Sequence, residues 1–184
     1  MQMDKNKFFI ILTLLGLAVV SRLIPHLPNF APVAAVAMAA SLCLNKKWSI
    51  ILPIFALFIS DALIGFYDWR LMLAVYVSFS VIGVFSWWLK KHSNPINLLT
   101  VSLGASIFFF FTTNTSVWLF SSWYPKTLAG LTLSLEMGLP FFRNTLMGDL
   151  FYTLVLCGGI LLVREISKIK RQKEFFIVRN NKDE

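Results

Sequence analysis

The side chains able to do chemistry in this chain are few, and they sit in apolar surroundings. Asp61 lies in SDALIGFYDW, six residues before Tyr67. Asn114 lies in TTNTS at 112–116, and the stretch LPFFRNTLMGDLFYT holds Arg143, Asn144, Asp149 and Tyr152. RLIPHLPNFAP contributes Arg22, His26 and Asn29. Ionisable groups inside hydrocarbon are costly and tend to mark substrate or ion pathways. Both signs of charge, an imidazole, amides and phenols together suit capture of a small polar molecule.

Catalysis finds little support in the same residues. One loop histidine with no His-x-x-x-His companion argues against an intramembrane metalloprotease. No serine stands in a nucleophile elbow, and no phosphate-binding loop is present, so ATP-driven work would need another protein. Cys43 and Cys157 lie inside apolar runs with no metal-ligand spacing and read as packing residues. Neither a catalytic set, a metal nor a cofactor is expected. A purely structural alternative stays open: Arg22 or Arg143 neutralises Asp61 and Asp149 and so locks helix to helix. An intramembrane enzyme would have His26 with Asp61 as its one credible pair.

The elements that position these residues follow from the apolar pattern. Of the 184 residues, 57% are hydrophobic and 14% charged, against about 25% charged in soluble domains. Six apolar runs occur, at 8–21, 30–44, 48–67, 71–89, 97–120 and 139–163. A helix needs about 20 residues to cross ~30 Å of hydrocarbon. The last four runs meet that length, and the first two are short enough to be tilted or re-entrant. The expectation is an all-α membrane protein, a six-helix transmembrane domain over 1–163 followed by a basic cytoplasmic tail over 164–184. Pro25, Pro28 and Pro32 make the first bend a structured, non-helical loop. KKHSNP is a turn, and 121–138 is the longest connection, part of it a short interfacial helix acting as a lid. The N-terminal run, with Arg22 and two prolines before any cleavage site, reads as a retained helix.

The net charge of +8 first raises the question of nucleic acid. With the N-terminus inside, 13 of the 17 Lys and Arg fall at 1–7, 45–47, 90–96 and 164–184, as the positive-inside rule requires. The whole excess then belongs to one face, and nucleic-acid binding loses its support. Trp48, Trp87 and Trp88 flank the inner lysine pairs, and Trp69, Trp118 and Trp123 the outer ends. Asp61, Asn114, Arg143 and the proline loop all fall in the outer half. A polar pocket opening outward and closed below by apolar packing is expected, and not a continuous pore.

RLIPHLPNFAPVAA, SDALIGFYDW, VYVSFSVIG, WYPKTLAGL and LPFFRNTLMGD, read together, resemble an uncharacterised family of small bacterial membrane proteins. That family is similar to the substrate-binding S-components of energy-coupling-factor vitamin transporters, nearest to the solitary cobalamin transporters. The resemblance implies six helices, cytoplasmic termini, residence in the bacterial inner membrane and an outward-facing vitamin pocket. It places His26, Asp61 and Arg143 where those proteins contact a corrinoid. The cobalt-ligating cysteine that follows the aspartate there has no counterpart, since 62–91 contains no Cys. The first run lacks a clean Ala-x-x-x-Ala docking surface for an energising module, which favours a solitary protein. The expected substrate-binding set is Arg22, His26, Asn29, Asp61, Tyr67, Asn114, Arg143 and Asp149. The expected partners are a vitamin-like small molecule, a corrinoid first among them, and membrane lipid.

Overall fold

The computed structural model describes residues 5–180, and within them all regular structure is helical, with no strand. The elements are α1 (Lys5–Leu23), α2 (Val33–Cys43), α3 (Trp48–Ile64), α4 (Trp69–Leu89), α5 (Pro95–Phe120) and α6 (Leu128–Tyr152). A π-helical turn, Thr153–Gly158, joins α6 without a break to α7 (Gly159–Asn180). The stretches at 1–4 and 181–184, expected on the inner face, lie outside the described residues.

Helix boundaries follow local chemistry. Asp68 caps α4 by accepting from the backbone N–H of Arg70 at 2.8 Å, and Asn94 caps α5 through Asn97 at 2.7 Å with Pro95 in the first turn. α3 ends at Gly65, whose φ of 119° is open to glycine and strained for other residues. Thr127 caps α6 by accepting from Gly130. The short connections reverse the chain each time. Loops 24–32, 65–68 and 121–127 therefore share one end of the bundle, and 44–47 with 90–94 the other.

α1, α4, α5 and the continuous α6–α7 rod are long and apolar enough to cross a membrane. The first run, expected to be short, forms a 19-residue helix. The third, expected to reach full length, stops at 17 residues because Gly65 turns the chain out. α2 has 11 residues, or ~16 Å, about half a bilayer core. Every residue from Val33 to Leu42 is buried, with α1, α3, α4, α5, α6 and α7 all packed against this one short helix. Its Ala-rich sequence explains the fit, since small side chains let several backbones approach together.

One expectation is corrected. The connection expected over 121–138 is shorter: helix begins at Leu128 and runs through Pro140, leaving a loop of 121–127. A proline in a helix costs one backbone bond, and flanking helices tolerate that within a bundle. The residues after 164 bury little, with 165–172 exposed throughout. They continue as α7, and Arg164 reaches back to the Leu42 carbonyl at 2.6 Å.

Candidate functional site

A cavity of about 260 Å³ opens at the end of the bundle where loops 24–32 and 65–68 meet. Five of the expected residues line it: Arg22, His26, Asn29, Tyr67 and Asp149. Val33, at the start of α2, and the aromatic pair Phe79–Phe109, with ring centroids 5.2 Å apart, complete its walls. Below it lies the apolar core around Met38, Leu52 and Leu89.

Asp61 stands beside the cavity and ties three helices together. It is 2% exposed, and Arg22, in the last turn of α1, forms an ion pair with its Oδ1. The Tyr76 hydroxyl, from α4, donates to its Oδ2 at 3.0 Å. A carboxylate taken out of water needs such partners. Tyr67 follows in the 65–68 loop. Burial first, then the charge on Asp61, push its phenol up to about 12, against the pull of Arg22. The phenol therefore stays protonated and available as a donor across physiological pH.

The loop holding His26 is fixed at both ends. His26 Nδ1 lies 2.7 Å from the Ile24 carbonyl, which can only accept, so that nitrogen is the donor. Asn29 adopts a left-handed φ of 64°, which asparagine tolerates better than most residues. Phe30 then packs on Tyr152 with centroids 5.5 Å apart. Gly148 makes this docking possible: a Cβ there would lie 3.1 Å from the Phe30 Cα. Gly148 and Tyr152 share the helix face expected from their spacing.

Asp149 is placed differently from Asp61. It is 5% exposed, its Oδ2 accepts from the Ser106 hydroxyl at 2.7 Å, and it lines the cavity. The ion pairs among the described residues are Arg22–Asp61 and Lys168–Glu165, so Asp149 has no cation beside it. The locking arrangement weighed from the sequence thus exists at Asp61 and not at Asp149.

The other two expected residues lie elsewhere. Asn114 is in the α5–α6 seam, donating to the Phe110 carbonyl at 2.8 Å, while its own carbonyl accepts from Ser134 at 2.9 Å. Its amide lies flat against Gly138, where any Cβ would collide with it. Arg143 is on the exposed side of α6 and does not line the cavity. Tyr76, Ser106, Phe79 and Phe109 had not been singled out. Tyr76 was within reach of sequence reasoning, because the tight 65–68 turn folds α4 back along α3. Ser106 was not, because α6 was expected to begin eleven residues later than it does.

Among the described residues, no group of three or more His, Cys, Asp or Glu side chains could hold a metal ion. Residues 2–172 match the model of DUF6580, a family of unknown function. No curated protein and no solved structure matches the chain.

Proposed function

We propose that this chain, which belongs to the DUF6580 family, is a multi-pass uptake protein of the S-component type. It would bind a vitamin-like small molecule in the cavity and deliver it to the cytoplasm, with both termini on the cytoplasmic side of a bacterial inner membrane. The observation that carries this is one-sidedness. Arg22, His26, Asn29, Tyr67 and Asp149 converge on one cavity near one end of the bundle, and Lys46, Lys47, Lys90 and Lys91 lie at the other. Orientation by the positive-inside rule then turns the cavity outward. The two short helices, α2 and α3, count as the fifth and sixth members of a six-helix bundle, α2 held within protein as a half-span. The cavity volume of about 260 Å³ is at the small end of ligand sites, which run from ~300 to ~1,000 Å³. That favours a one- or two-ring solute over the corrinoid suggested by the resemblance.

A structural role is the second candidate, favoured by the Arg22–Asp61–Tyr76 knot, which joins α1, α3 and α4 with no ligand. Native mass spectrometry of protein freshly extracted in mild detergent separates the two. Uptake predicts a mass adduct of one small molecule that survives gentle activation and is depleted by dialysis. A bare polypeptide mass, with no adduct after addition of a vitamin panel including cobalamin, supports the structural role.

A further inference from the structure

We infer that the cavity selects an organic cation, a protonated amine or a cationic nitrogen heterocycle, with Asp149 as its counter-charge. This rests on the uptake function proposed above and names the class of its solute.

The argument is one of charge balance. Arg22 is the one cationic side chain lining the cavity besides the imidazole of His26, and its guanidinium is committed to Asp61. Those two charges cancel. Asp149 is left with one oxygen held by Ser106 and the other, Oδ1, with no hydrogen-bond donor among the described residues. Among the described residues no fully shielded side-chain oxygen lacks a partner, so Oδ1 keeps open surface, and Asp149 is one of the residues lining the cavity. The start of α2 lies at the same cavity through Val33, and its positive end offsets at most about half a charge. A buried carboxylate in this position requires a cation or a proton.

The walls match the first choice. Phe79 and Phe109 present a tilted aromatic pair to the same space as Asp149. Aromatic faces attract desolvated cations and offer nothing comparable to anions. Val75 and Ile82 supply the apolar contact that an amine's carbon skeleton needs. An anion would meet an aspartate in place of a free guanidinium.

The test is binding to purified full-length protein in detergent, with small organic probes that differ in charge. Thiamine, choline and putrescine serve as cations, pyridoxine and riboflavin as neutral probes, and pantothenate and biotin as anions. At least one cation should bind, and Asp149→Asn should weaken it by ~30-fold or more, the usual cost of removing one partner of a buried charge pair. Asp149→Asn can keep its contact with Ser106, and a monodisperse peak on size exclusion checks its fold. Phe109→Leu, which leaves every charge in place, should weaken the cation several-fold; should Asp149→Asn not fold, an unchanged affinity in Phe109→Leu overturns the inference. Binding confined to neutral or anionic probes, or cation binding unchanged in Asp149→Asn, overturns the cation assignment and leaves uptake standing. Failure of every probe to bind, together with no chain-dependent accumulation of any of them by cells, removes the uptake function itself.

Discussion

Two buried aspartates of the same type behave as different chemical objects because of their partners. Asp61 has a guanidinium on one oxygen and a phenol on the other, whereas Asp149 has a single serine. Arg22→Met strands the Asp61 carboxylate, which costs about 3–5 kcal/mol for a buried pair broken on one side. The double substitution Arg22→Met with Asp61→Asn strands nothing, and should recover most of that loss. Thermal unfolding in detergent checks this: the single variant melts well below the double one. Equal melting temperatures would mean that the pair does not hold the helices. Both aspartates stood out in the sequence as charges in apolar runs. Which of them was neutralised did not, because Arg22 and Arg143 were equally eligible partners until the fold placed one at the cavity and the other outside.

Among the elements, α2 organises the bundle, and its C-terminal end is held by cations. Leu42 accepts from Arg164 at 2.6 Å and Leu44 from the Lys90 ammonium at 2.8 Å. Helix ends leave carbonyls unsatisfied and carry partial negative charge, so basic side chains are the favourable partners there. From the sequence, Arg164 and Lys90 counted only toward orientation. Their structural part was hidden because the carbonyls they cap lie 122 and 46 residues away. Arg164→Met should lower stability by about 1.5–3 kcal/mol, the range for a charge-assisted hydrogen bond, and denaturant unfolding in detergent would measure it. Arg164→Lys should retain part of the contribution. The opposite failure occurred at α6, where 121–138 reads as a connection and the apolar run as starting at 139. Gly138 instead admits the Asn114 amide at a close helix crossing, and Pro140 is carried within a continuous helix. Composition alone does not distinguish a glycine that ends a helix from one that lets two helices touch.

At the scale of the whole molecule, the sequence was most informative where the physics is long-range and additive. Apolar runs and the Lys/Arg asymmetry located the helices and separated the two ends, since each rests on many residues at once. The cavity was legible only in outline, because its walls come from helices whose relative rotation no single run encodes. Orientation is checked by cysteine labelling in cells, with Cys43 and Cys157 replaced by alanine. Trp123→Cys, in the 121–127 loop, should react with an impermeant maleimide in intact cells. His92→Cys, in the 90–94 turn, should react only after permeabilisation, and the reverse pattern would invert the molecule. The central helix also has a consequence for biogenesis. At 11 residues, α2 is too short to partition into lipid as an independent span, and its surface is apolar all round and covered by neighbours that are mostly translated later. While the nascent chain emerges, this segment has to wait at the bilayer boundary or in the insertion machinery until α3 to α6 arrive. Assembly of this protein is therefore expected to be a late, collective event, and chains truncated before α6 should be degraded although their first helices are already in the membrane.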